Sequence, residues 1–152
     1  MTNENVSAPQ ADSVPWHLWV VGIVALLWNG FGAYDYLMTQ TRGVEYLSGL
    51  GMTAAQIDYY NAMPAWMSAV WAVGVWGGVL GAVLLLLRRG WAVWAFAASL
   101  AALVISLIYA LLLSDGARLM GAPGMIMNVV ILIAAVAFLY YARRMARGGV
   151  LR

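Results

Sequence analysis

From Pro64 to Leu87 the chain reads PAWMSAVWAVGVWGGVLGAVLLLL, without one charged side chain. A helix of roughly 20 such residues, rising ~1.5 Å per residue, crosses the hydrocarbon core of a bilayer. Three further segments have the length and apolar character for the same role: about Trp16–Leu37, Trp91–Leu113 and Pro123–Ala142. The chain is 152 residues long, 64% hydrophobic and only 9% charged, whereas a soluble domain is about a quarter charged. The expected fold is therefore an all-α membrane protein, a four-transmembrane-helix antiparallel bundle over 15–145. A polar tail at 1–14 precedes it and a basic tail at 146–152 follows.

Other classes are excluded by pattern. Barrel strands alternate apolar and polar residues, but VLGAVLLLL and VVILIAAVAFL are continuous. With no cysteine there is no disulfide, thiol nucleophile or thiolate metal site. The first 14 residues contain Glu4 and Asp12 and no basic residue. A cleaved signal begins with positive charge, so the first span is expected to persist as a helix.

Arginines in short loops orient a membrane protein. Arg88, Arg89, Arg143, Arg144, Arg147 and Arg152 share one side of a four-span topology, and only Arg42 and Arg118 lie on the other. The richer side is expected to be cytoplasmic, with both termini there. The basic balance thus reflects membrane edges, and no nucleic-acid surface is expected. On the outer side, Thr53 and Gln56 form the T-x-x-Q pattern of a capping box. It predicts a short interfacial helix over Thr53–Ala62, with Pro64 opening the second span. This segment is either a structured connector or a lid.

Each span carries a stripe of small or polar residues at helical spacing. The first has Gly22, Ala25, Asn29, Gly32 and Tyr36; the second Met67, Gly74, Gly77, Gly78 and Gly81. The third has Ala95, Ser99, Ala102, Ser106 and Tyr109; the fourth Asn128, Leu132, Ala135, Leu139 and Ala142. Membrane helices associate through close packing and hydrogen bonds, which small residues allow. Gly74, Gly78 and Gly81 are the candidate packing positions, either within one chain or against a second copy. Trp16, Trp19, Trp66, Trp91 and Trp94 mark the span ends as an aromatic belt, and Trp28, Trp71 and Trp76 are deeper packing or lipid contacts.

Polar residues gather in the outer half. A polar side chain in hydrocarbon is costly without a partner. The candidate ligand-binding set is Asn29, Tyr36, Ser106, Tyr109 and Asn128, with Asp35 at the rim. The plainer alternative is interhelical glue, Asn29 facing Asn128 across the bundle. The inner half offers no charged or amide residue, which argues against a lone transporter, since alternating access needs a midplane site open to both sides.

Other chemistry finds no constellation. His17 is the single histidine, and an interfacial anchor is its expected role. Seven of nine methionines fall near the outer side. Thioethers suit Cu(I), but these form no tight repeat, so no metal is expected. No phosphate loop, catalytic triad or paired intramembrane carboxylate is present, so neither an enzyme nor a cofactor is expected.

The runs WNGFGAYDYLMTQTR (Trp28–Arg42), PAWMSAVWAVGVWGG (Pro64–Gly78) and RRGWAVWAFAASL (Arg88–Leu100) resemble small four-span bacterial inner-membrane proteins labelled as sugar transporters. The resemblance ends before the fourth span and brings no site residues. It implies a multi-pass protein of the inner membrane that moves a sugar; because one chain offers no path, the transport alternative takes a homodimer, two copies making a path for a small neutral solute. The polarity gradient favours a different expectation. That is a non-enzymatic protein whose outer-half surface or pocket binds a membrane-protein partner, as an accessory subunit of a larger complex, or a small amphiphile.

Overall fold

A computed structural model describes residues 14–152. The tail expected at 1–14 lies outside them, except for its last residue. Six helices follow in order: α1 Trp16–Arg42, α2 Val44–Gly49, α3 Ala54–Asn61, α4 Ala65–Leu86, α5 Ala92–Ile108 and α6 Gly116–Arg147. The last turn of α5 widens into a π-helix over Tyr109–Leu113. Among the described residues there is no strand. Four helices are long and apolar enough to cross a membrane: α1, α4, α5 with its π turn, and α6. The chain is an all-α, four-span membrane protein, as its apolar runs predict.

The spans pack in chain order, α1 along α4, α4 along α5, and α5 along α6. The small-residue stripes make these contacts. Gly78 faces α1, where the amide of Asn29 occupies the space a methyl group would need. Gly74 and Gly77 face α5, against Ala102 and Ser99, and Gly81 lies under the Phe96 ring. Ser99 donates to the Gly74 carbonyl at 2.5 Å. The α4 glycines are thus used inside one chain, on two sides of one helix, and the alternative of packing against a second copy is not needed to explain them. On α1, Gly22 is filled by the Leu86 side chain.

The buried apolar cluster sits at one end of the bundle. Leu18, Leu85, Ala92, Phe96, Leu139 and Met145 belong to it. The start of α1, the α4–α5 turn and the end of α6 all meet there. His17 Nδ1 lies 2.6 Å from the Tyr141 hydroxyl, tying α1 to α6. This is the arginine-rich end, closed by hydrocarbon as the sequence pattern expects.

The ends of the spans differ in instructive ways from the sequence boundaries. α1 continues through Gln40, Thr41 and Arg42. Its 27 residues make it ~40 Å long, longer than the ~30 Å hydrocarbon core. Its last turns therefore stand among headgroups, where polar side chains cost little, and Arg42 suits the negative end of the helix dipole. α6 starts early, at Gly116, but breaks at Gly121 (φ 59°, ψ −164°) just before Pro123. A left-handed φ suits glycine, and Pro123 falls in the first turn after the break, where a missing N–H costs nothing. The break separates a short first segment from the long straight part of α6 that follows.

Candidate functional site

The end opposite the arginines is covered by α2 and α3. Thr53 caps α3: its Oγ1 accepts from the Gln56 backbone N–H, and Gln56 Oε1 accepts from the Thr53 N–H. The capping box predicted from T-x-x-Q is therefore formed. The other end of the Gln56 amide donates to the Leu119 carbonyl at 2.9 Å. Tyr59 lies 3.2 Å from Ser114 Oγ and presses its ring on Gly116. Ser114 in turn donates to the Tyr109 carbonyl at 2.9 Å and accepts from the Gly116 N–H at 3.3 Å. The hydroxyl thus satisfies groups that the π turn and the start of α6 leave free. Two side chains of α3 hold it to the α5–α6 corner.

Asp35 lies about 29 Å along α1 from Trp16, at the end covered by α2 and α3. It is half-buried and accepts a hydrogen bond from the Tyr46 hydroxyl of α2 at 2.8 Å. Tyr34 meets Tyr46 edge-on at 6.4 Å. Tyr36 meets Trp71 edge-on at 5.1 Å, and Tyr60 leans on the same indole at 6.1 Å. Desolvation, the Asp35 hydrogen bond and the Asp35 charge together push the Tyr46 phenol up to about 12. Burial pushes Tyr60 up as well, with Asp35 and Tyr59 adding to it. Tyr46, with Tyr34 against it, thus clasps the Asp35 carboxylate, and Tyr36, Trp71 and Tyr60 form an aromatic chain beside it; together these residues make an aromatic collar.

The candidate residues do not share one cavity. Asn29 donates to the Ala25 carbonyl of its own helix at 2.8 Å and packs on Gly78. Asn128 is half-buried on α6, and no hydrogen bond joins the two asparagines. The expected pairing across the bundle fails because α1 packs on α4 and α6 packs on α5. Ser106 likewise bonds within its helix, to the Ala102 carbonyl at 2.9 Å. Tyr109 meets Trp66 edge-on at 5.5 Å. Only Asp35 and Tyr36 belong to the collar. The partners that complete it, Tyr46, Tyr60 and Trp71, had no special spacing in the sequence. Among the described residues no group of His, Asp and Glu could hold a metal ion.

The Tyr46–Asp35 bond is open to direct titration. A raised phenol pKa in the folded state favours the protonated form. The clasp therefore contributes fully below pH 10, the ordinary tyrosine value, and is lost as pH rises through about 12. In phenolate absorbance titrations, Tyr46→Phe should remove one late-titrating group. Asp35→Asn should move that group back toward 10. Identical titration curves for the parent and Tyr46→Phe would count against the clasp.

No family model matches this chain, and neither a characterised protein nor a solved structure matches it significantly.

Proposed function

We propose that this protein is a non-enzymatic accessory protein of a bacterial inner membrane, with its arginine-rich end cytoplasmic, and that its capped outer face docks a partner membrane protein. The observation that supports this reading is where the polar groups spend their hydrogen bonds. Within the spans, Asn29 and Ser106 bond to carbonyls of their own helices, and Ser99 bonds to the neighbouring α4 backbone. These three side chains are thus spent on helix backbone and do not line a wet path. On the outer face, side chains fix α2 and α3 over the bundle at named points. A short connector needs none of these bonds to join two spans. A binding platform needs its surface held in one shape, because ordering it on binding would cost affinity.

The collar has the composition that docking surfaces favour. Tyrosine and tryptophan bury large area at low conformational cost and are enriched in binding hot spots. Tyr34, which packs on Tyr46 beside the Asp35 carboxylate, is about half exposed, as are Leu50 and Trp66 at the same end of the bundle. A partner that presents a hydrogen-bond donor between apolar side chains fits this surface.

Two experiments separate docking from the alternatives. A photo-crosslinking residue placed at Tyr34 in native membranes should give a discrete protein adduct, while one at lipid-facing Val73 should not. Purified protein in proteoliposomes should show background sugar flux. Saturable uptake abolished by Asn29→Leu would replace docking with transport. A periplasmic reporter fused after Arg152 should be inactive, and activity there would reverse the assigned orientation.

A further inference from the structure

We propose, building on the docking reading above, that the partner crosses the membrane beside α1 and carries a lysine or arginine in its own span, which pairs with Asp35. Asp35 is half-buried, and its hydrogen bond from the Tyr46 hydroxyl engages one carboxylate oxygen. A carboxylate offers about four acceptor sites, and a neutral phenol leaves its charge uncompensated. Among the described residues the one ion pair joins Arg118 to Asp115, so no basic side chain of this chain is paired with Asp35. The carboxylate does not sit in a loop, where water would serve. On α4, Gly78 holds Asn29 and Trp71 meets Tyr36. By that register Asp35 stands level with Ala72, about 10 Å in from Ala65, the first residue of α4. Ionisable groups on spanning helices are costly and pair with one another. A basic side chain on a neighbouring helix supplies the charge that Asp35 lacks.

The surface leading to Asp35 has the spacing that receives a helix. His17, Val21, Val24, Trp28, Phe31 and Asp35 recur on α1 at alternating steps of four and three, the repeat of a left-handed helix pair. This chain itself takes the first part of the seam: His17 meets Tyr141 of α6, and Val21 packs on the buried cluster. From Val24 onward the same seam is uncovered, with Val24 53%, Trp28 40% and Phe31 72% exposed. Large aromatic side chains in line with a charge have the composition of binding hot spots. Lipid serves apolar area as well as another helix does, but it does not serve a carboxylate in line with that area. A second copy does not supply the missing charge either. Copies in one membrane run parallel, so a shared α1 seam would set Asp35 against Asp35, a repulsive pair, and Arg42 lies about 10 Å further along the helix.

The test uses the full chain in phosphatidylcholine vesicles, with a dye on Ser48→Cys. The sequence has no other cysteine, and Ser48 is exposed on α2. The probe is a labelled synthetic transmembrane helix of leucine and alanine, with one lysine at the depth that Ala72 has in α4. Matched helices carry leucine or glutamate at that position, and energy transfer reads association. The protein should bind the lysine helix about ten-fold or more tightly than the leucine helix, the usual gain from a hydrogen bond to a charged group. It should not favour the glutamate helix. Asp35→Asn should abolish the lysine preference while keeping an acceptor for Tyr46. Asp58→Asn removes an exposed carboxylate that lies off α1, and should change nothing. Phe31→Ala should weaken the lysine and leucine helices alike. Unchanged melting temperatures would confirm intact folds. Equal binding of the lysine and leucine helices would overturn the pairing, and so would a lysine preference that survives Asp35→Asn. Binding untouched by Phe31→Ala would move the contact off this seam. The two readings fail separately. Absence of a Tyr34 adduct in native membranes would count against docking and this partner with it, whereas an adduct that persists at full yield in Asp35→Asn would count against the pairing alone.

Discussion

Gly78→Ala is expected to destabilise the folded protein by about 1–3 kcal/mol, the usual cost of overpacking a tight interior. Adding Asn29→Ala to the same chain should recover most of that loss. The new methyl group would occupy the space of the Asn29 amide, which is tethered to the Ala25 carbonyl and cannot swing away freely. Removing the amide makes room. The Ala25 carbonyl stays satisfied, because it also accepts the backbone N–H four residues on, as in any α-helix. Asn29→Ala alone should therefore cost less than about 1 kcal/mol, an ordinary value for a net hydrogen bond. The two changes should couple strongly in a double-mutant cycle, as contacting residues do. Gly81→Ala is the control. Its added methyl group meets the Phe96 ring on α5, so Asn29→Ala should not rescue it. Thermal unfolding in detergent reads the parent and the five variants. A double variant as unstable as Gly78→Ala would remove the α1–α4 contact described above.

This contact also shows where the sequence was informative. A polar residue on a small-residue stripe announces that it faces another helix, and Asn29 does. The stripe does not say which helix. That depends on how four spans are arranged around one another, and the order here puts α4 between α1 and α5. Asn128, on an equally good stripe, therefore never meets Asn29. Span identity was legible because hydrocarbon demands long uninterrupted apolar helices. The α3 cap was legible because a capping box is a local device, set by residues three apart. The aromatic collar was not. Tyr46 reaches Asp35 because Gly43 turns the chain with φ +48° between α1 and α2, and Tyr60 reaches Trp71 across two elements. Such contacts are made by the path of the loop, which no periodicity encodes.

Cutting the chain after Arg147 should destabilise the protein by about 3–5 kcal/mol, although the removed residues follow every span. α6 ends in a Schellman motif: the Val150 N–H donates to the Met145 carbonyl and the Gly149 N–H to Ala146, with Gly149 at φ 71°. This turn sends the tail back to the α4–α5 corner. There the Arg152 N–H donates to the Arg88 carbonyl, and the Gly90 N–H donates to the Arg152 carbonyl, both at 2.8 Å. Arg88 Nε donates to the Val150 carbonyl at 3.2 Å. Leu151 is 7% exposed and belongs to the main buried cluster. Within the bilayer, burial of leucine among helices drives little, because lipid is as apolar as the protein. Leu151 lies past the span, where the alternative is water, so its burial contributes about 2 kcal/mol. Each lost hydrogen bond adds roughly 1 kcal/mol. Leu151→Ala should reproduce a large part of the loss. Arg88 supplies an internal check. It adopts φ 57°, a left-handed conformation that costs a residue with a Cβ about 1–2 kcal/mol. In the full chain Arg88→Gly should be close to neutral, trading that strain against the bond to Val150. In the shortened chain that bond is already gone, and the same substitution should stabilise by about 1 kcal/mol. Unchanged unfolding temperatures for the shortened chain and for Leu151→Ala would mean that the tail does not fasten this end of the bundle.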